Sequence, residues 1–298
     1  MPELPEVEHV VRALRRSIVG RRIIASEIKL KKLIAPTPPS SFNRRIKGLR
    51  IAGVSRRGKY ILIELGPDVV LPKIRTSGPG SAGTSPAQRA NLLVLAVHLR
   101  MTGKFLYLNL EDPLPKHAHA IFYLDNDMRL VFRDQRKFGV MKLVSISRLK
   151  QTKGIRELAP EPLGDEFSLA YLIGTLSRSR RTLKTLLLDQ TKVLGLGNIY
   201  VAEALFRAQI SPFAVATRLS AKRMARLHAA IRDVLSFAVS HIRGQINLEE
   251  GFSYGAAFEN FWQVYDREGE PCFNCGARIR RVMHGGRSTY WCPKCQRR

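Results

Sequence analysis

Residues that could do chemistry gather at the two ends of this 298-residue chain. Near the far end, Cys272 and Cys275 are separated by two residues, sixteen more follow, and Cys292 and Cys295 repeat the spacing. A pair two residues apart can wrap one side of a tetrahedral ion. Two such pairs close a four-thiolate shell, which suits a structural zinc and leaves no open position for a catalytic water. The competing reading, two disulfides, belongs to secreted chains; all four cysteines fall after residue 270, unlike a dispersed disulfide framework. Between the pairs, residues 279–282 and 288–291 read as two strands turning at 284–287. Residues 271–298 hold seven Lys/Arg and no Asp/Glu. Such a cationic finger favours nucleic acid, although many zinc ribbons bind protein.

The near end begins Met1-Pro2-Glu3-Leu4-Pro5-Glu6-Val7-Glu8. A small second residue permits removal of the initiator, leaving Pro2 as a secondary amine. An α-amine has a pKa of about 7.7–8.0, so near neutral pH it is a usable nucleophile. Attack on a sugar C1′ would give an iminium, and the neighbouring Glu3 is a natural proton carrier, with Glu6 close behind. The same residues also describe an ordinary helix start: Pro5 in the first turn, and Glu6 and Glu8 where the dipole favours anions.

These groups sit in a strongly basic chain. Lys and Arg number 50 against 24 Asp and Glu, a formal net charge of +26, with 45% of residues apolar. That apolar content excludes a charge-driven disordered chain, and the charge calls for an acidic partner, nucleic acid foremost. The charged residues among the first 25 leave no room for a signal-peptide core, and no apolar run approaches the roughly 18 residues of a membrane helix. The expectation is therefore a non-secreted protein without a membrane span.

The elements that must position the two ends follow from periodicity. Val7, Val10, Val11, Leu14 and Ile18 form a helical stripe. From about residue 22 to 146 the pattern is strand-like, with runs at 51–54, 60–65, 92–97, 120–124, 130–132 and 140–144, and turns at 55–59 and 125–127; several short strands at close spacing predict a sandwich. After Pro160 and Pro162 the period becomes helical, with helices expected at 167–177, 182–189, 199–209 and 220–242. In the last, Ser220 is the N-cap and Met224, Leu227, Ile231, Leu235 and Ala238 the buried stripe. The segment around 72–90, rich in Gly, Ser and Pro, interrupts the β region and reads as a flexible surface insertion.

Four separated motifs now stand in order: Met1-Pro2-Glu3-Leu4-Pro5-Glu6-Val7-Glu8, His98-Leu99-Arg100-Met101-Thr102-Gly103, Gly195-Leu196-Gly197-Asn198-Ile199-Tyr200, and the terminal cysteine finger. Together they closely resemble the formamidopyrimidine-DNA glycosylase family, end to end apart from the insertion. The resemblance implies an α+β chain: an N-terminal β-sandwich with flanking helix (1–150), a C-terminal helical domain containing a helix–two-turn–helix (163–262), and a β-hairpin zinc finger (263–298).

For function, the resemblance implies a bifunctional DNA glycosylase and abasic-site lyase of base excision repair. Such an enzyme excises oxidised purines (formamidopyrimidine, 8-oxoguanine) through a Schiff base and nicks the strand by β,δ-elimination. Pro2 is then the nucleophile, Glu3 the proton donor, Lys59 the phosphate-contacting lysine and proton donor for β-elimination, and Arg287 a phosphate grip and proton donor for δ-elimination. Met101, Arg136 and Phe138 fill the gap left by an extruded nucleotide, as wedges must when a base leaves the stack. Asn198 grips phosphate at a helix start, and Lys184 and Glu6 are further DNA-contact candidates. Cys272, Cys275, Cys292 and Cys295 hold one structural zinc. The implied partner is damaged double-stranded DNA, the protein monomeric, cytoplasmic and associated with the nucleoid through DNA.

Taken singly the residues keep plainer readings: core side chains for Met101 and Phe138, a solvated charge for Arg136, a hairpin lysine for Lys59, an N-cap for Asn198, and a solvated basic face for Lys184 and 178–181. The chain departs from the family pattern at the insertion and at residues 244–255, where a Pro-Gly-Tyr-Phe stretch is usual. The alternatives are an endonuclease VIII-like preference for oxidised pyrimidines, a non-catalytic protein of lesions or abasic sites, and a zinc-ribbon transcription or translation factor.

Overall fold

The computed structural model describes residues 2–67, 92–241 and 262–297. The expected insertion at 72–90 and the atypical segment 244–255 lie outside the described residues. The described residues divide into two compact units, one containing Pro2 and residues 6–156, the other residues 3–5, 157–241 and 262–297.

In the first unit, helix α1 (Leu4–Ile18) starts one residue before Pro5 and buries the expected stripe of Val7, Val10, Val11, Leu14 and Ile18. Glu6 keeps its place in the first turn, but Glu8 turns to Arg12 and Arg56, each at 3.1 Å. Two four-stranded antiparallel sheets share one core with that stripe. One runs β1 (Ile23–Ile28), β6 (Ala118–Leu124), β7 (Met128–Asp134), β5 (Gly103–Asn109); the other runs β2 (Arg50–Arg57), β3 (Tyr60–Gly66), β4 (Leu93–His98), β8 (Val140–Ser145). The core joins Ile61, Ile63, Leu95 and Val97 to Phe105, Phe122, Leu130 and Phe132, the sandwich that the strand spacing predicts.

Two parts of this unit differ from the sequence expectation. Strands β1 and β5 were not foreseen; β1 is a sheet edge that buries only Ile23 and shows no long apolar run, whereas β5 does carry one, at 105–108. Helix α2 (Pro39–Ile46) stands within the region read as strand-like. Proline at its first position suits a helix start, and Phe42 and Ile46, one turn apart, are both buried. A short helix α3 (Ile146–Leu149) follows β8.

In the second unit, α4 (Leu169–Leu176), α5 (Leu183–Leu187), α6 (Asn198–Arg207) and α7 (Ala221–His241) pack around Phe167, Tyr200, Leu205, Leu227 and Ile231. The α4 helix is capped by Ser168, which accepts from Tyr171 N; Ser220 receives Arg223 N before α7, whose expected stripe is buried. The finger hairpin, β9 (Arg280–His284) and β10 (Arg287–Trp291), is longer than expected and turns on Gly285-Gly286 alone. Both glycines have left-handed φ, +59° and +72°, as the tight turn of a twisted hairpin demands. The finger has its own small core, in which Cys272, Ile279 and Tyr290 meet Ala202 and Phe206 of α6.

Gly103 opens β5 where a Cβ would collide with the Leu99 carbonyl and the Phe132 ring. Gly103→Ala should therefore lower the stability of the sandwich by about 1–3 kcal/mol, read as a reduced denaturant midpoint; an unchanged midpoint would show that the turn yields freely.

Candidate functional site

The first unit presents two turns fixed by one buried carboxylate. Between β4 and β5, Arg100 adopts a left-handed φ of +57° while its N–H donates to His98 Nδ1 at 3.0 Å, and Gly103 N donates to Leu99 O. Between β7 and β8, Asp134 (1% exposed) accepts from Gly139 N at 2.7 Å and Arg136 N at 3.2 Å. The same carboxylate takes the Thr102 hydroxyl, and Thr102 in turn receives Arg136 N. Fixed this way, the turns hold Met101 and Phe138 in solvent, 42% and 46% exposed. Arg136 lies between them, its guanidinium 2.9 Å from Met101 Sδ and 4.9 Å from the Phe138 ring centre. The structure thus brings the three expected wedge residues together, and the core reading of Met101 and Phe138 does not hold. Sequence reasoning missed Asp134, the anchor; its only visible signal was its position two residues before Arg136.

Lys59 lies in a two-residue hairpin, Gly58-Lys59, with Gly58 at φ +57°. It sits in a hairpin, as expected, with its side chain buried. Near it, the His98 ring meets Tyr60 edge-on at 4.8 Å. Burial, then the charges of Arg100 and Lys59, lower the His98 pKa to about 3, which keeps the imidazole neutral.

In the second unit, the N-terminus of α6 is taken by an acid. The Glu3 carboxylate accepts from Gly197 N at 2.6 Å, Ile199 N at 3.0 Å and Tyr200 N at 3.3 Å, while Leu4 N donates to Gly195 O. This is an anion held by helix-start N–H groups. The glycines of the Gly195-Leu196-Gly197 motif are there to admit it. A Cβ on Gly197 would strike the Glu3 carboxyl, and Gly195, at φ +83°, would press on Leu4. Three N–H groups at this helix start are therefore engaged by Glu3. Pro2, bonded directly to Glu3, is buried, as is Glu6 in the first turn of α1.

Asn198 and Lys184 turn to the finger. Asn198 Nδ2 donates to Ser288 O at 2.9 Å. Lys184, 2% exposed, donates to Ser288 O and Thr289 Oγ1, both at 2.6 Å. Burial and the nearby Arg287 lower its pKa to about 8. The solvated-face reading of Lys184 gives way to an internal tether. Arg287 itself is exposed at the head of β10. Tyr265 was not foreseen: its phenol is pushed up chiefly by burial and lies near Asn198 and Glu3. Its segment is fastened to α6 by Glu203, which accepts from Gln263 N, Val264 N and Tyr265 N at 2.9–3.0 Å.

The four cysteine sulfurs lie within 4.8 Å of one another, with Cys272–Cys295 at 3.9 Å and Cys275–Cys292 at 3.4 Å. A tetrahedral ion with Zn–S bonds of about 2.3 Å sets its sulfurs roughly 3.8 Å apart. The residues fit a structural zinc, and none of the four is disulfide-bonded.

Comparison with known proteins adds to this geometry. Three family models match in succession: formamidopyrimidine-DNA glycosylase N-terminal domain at residues 1–141, formamidopyrimidine-DNA glycosylase H2TH domain at 158–249, and zinc finger found in FPG and IleRS at 269–298. The formamidopyrimidine-DNA glycosylase of Pelotomaculum thermopropionicum is 42% identical, over 100% of this chain and 99% of that protein. Among solved structures, Lactococcus lactis Fpg with abasic-site DNA aligns at TM-score 0.84 and 34% identity, covering 99% of this chain and 100% of that one. The same enzyme with FAPY-dG-containing DNA aligns at TM-score 0.84 and 33% identity, with the same coverage.

Two outcomes follow from this geometry. Folded His98, with a pKa of about 3 against 6.5 ordinarily, takes up its proton only on unfolding. Its contribution to stability should therefore be lost as pH falls from about 6.5 toward 3, approaching about 1.4 kcal/mol per pH unit. His98→Gln should flatten that part of the denaturation-versus-pH curve, and an equal slope in both proteins would contradict the burial argument. For the finger, chelation should make all four cysteines titratable by a thiol reagent; thiols that stay unreactive after chelation would refute zinc.

Proposed function

The chain belongs to the formamidopyrimidine-DNA glycosylase family and is a DNA glycosylase of base excision repair with abasic-site lyase chemistry; from that premise we propose that it excises oxidised purines through its N-terminal proline. The observation that supports this most is the Glu3 carboxylate fixed at the head of α6, one peptide bond from Pro2. With Met1 removed, the neutral Pro2 nitrogen attacks C1′. The glycosidic bond breaks and its electron pair leaves with the base, which gains a proton; Pro2 N gives up its own proton, the C1′–O4′ bond then opens as O4′ takes a proton, and a protein–sugar iminium remains. Glu3 handles the protons of this step.

Loss of the C2′ proton then expels the 3′ phosphate, and a second elimination expels the 5′ phosphate. Lys59 serves the first elimination and Arg287 the second. Met101, Arg136 and Phe138 fill the vacated stack, an assignment supported by their exposure on a fixed base. Oxidised purine as substrate is supported by the likeness to relatives held with FAPY-dG and with carbocyclic 8-oxo-G DNA, one of which is also held with oxidised-pyrimidine DNA. Residues 1–150 supply nucleophile and wedge, 163–262 the Glu3 seat, and 263–298 the metal-held finger. The protein works as a monomer on double-stranded DNA, in the cytoplasm and at the nucleoid. Among the described residues no helix is long and apolar enough to cross a membrane.

Borohydride should trap the mature chain on a duplex carrying 8-oxoguanine. Glu3→Gln should still bind that duplex and excise at least about a hundredfold more slowly. An untrappable mature chain would end the lyase proposal, and full excision by the Gln variant would remove Glu3 from the chemistry.

A further inference from the structure

Lys104 of β5 stands directly opposite Arg133 of β7. Like charges directly opposite in a cross-strand pair repel each other. Burial and the Arg133 charge together hold the Lys104 ammonium below its ordinary value. The same field reaches His117, whose imidazole is pushed down by burial and then by Lys116, His119, Arg133 and Lys137. Several cations therefore converge on one end of this sheet.

That end is also the base of the wedge. Arg133 precedes Asp134, the carboxylate that joins the two turns, and Asp134 N donates to His117 O at 3.1 Å. Lys137, exposed and at a left-handed φ of +58°, lies between Arg136 and Phe138 in the chain. Cations and wedge are thus built on the same short backbone segment. A polyanion whose stack receives Met101 and Phe138 brings its flanking phosphates to the same end of the sheet.

We propose that Lys104 and Arg133, together with Lys137, form a phosphate rail that grips the DNA backbone beside the wedge, outside the damaged nucleotide. The proposal rests on the glycosylase reading and adds contacts to it. Phosphate neutralises the like-charge pair, and the contacts are indifferent to sequence.

The test uses full-length, zinc-loaded protein and a duplex with a tetrahydrofuran abasic-site analogue, its affinity measured by fluorescence anisotropy between about 0.05 and 0.2 M salt. Lys104→Gln/Arg133→Gln should reduce the slope of log affinity against log salt by about 2, roughly 0.9 for each phosphate no longer neutralised. Affinity for undamaged duplex should fall by the same factor, leaving lesion discrimination as in wild type. Arg133→Lys should keep the wild-type slope. The double variant should fold and bind zinc as wild type does. An unchanged slope in a folded double variant would overturn the proposal, as would a loss of discrimination at constant slope. A wild-type protein that neither prefers the lesion duplex nor is trapped on it would instead overturn the glycosylase reading.

Discussion

The Glu3 carboxylate at the start of α6 is the constraint around which the second unit is arranged. Three backbone N–H groups converge on it, and hydrogen bonds to a charged group contribute about 1.5–3 kcal/mol each. Because Glu3 is joined to Pro2, holding the acid also limits where the chain terminus can go. The local sequence is subordinate to this contact. Gly195 and Gly197 are the residues whose missing Cβ atoms leave room for Leu4 and Glu3. A helix start that could have bound phosphate is already satisfied by the protein's own acid. Anion binding then falls to side chains, of which this chain, at +26, has an abundance.

The first unit solves a similar problem with Asp134. An exposed wedge of Met, Arg and Phe has little to hold it in place, and apolar side chains standing in water gain nothing from burial. Rigidity comes from beneath, where one carboxylate gathers a hydroxyl and two backbone N–H groups from two separate turns. In each unit a buried acid fixes the local backbone. The finger follows the same pattern: Glu203 fastens its lead-in segment, and Lys184 and Asn198 hold its hairpin by the Ser288 carbonyl.

What the sequence showed was what short-range periodicity and spacing encode. The stripes of α1 and α7, the Gly58-Lys59 hairpin and the cysteine pairs are local patterns, and they appear where expected. Edge strand β1 has no such pattern, and α2 was hidden because its buried pair, Phe42 and Ile46, lies among polar residues. Side-chain direction was harder still. Lys184 looked like a surface cation because nothing local reveals that its acceptors lie more than a hundred residues away. The role of Asp134 depends on Thr102, 32 residues earlier, and that of Tyr265 on residues brought near only by folding. Motif resemblance supplied which residues matter, whereas packing decides how each is held.

The central claim, that a carboxylate seated on α6 is what makes the terminal proline competent, is tested most directly by Gly197→Ala. The added methyl group would occupy the space of the Glu3 carboxyl without removing any reacting atom. In single-turnover excision of 8-oxoguanine, with zinc content and folding verified, the rate should fall by at least about a hundredfold. Excision at the wild-type rate would contradict the account.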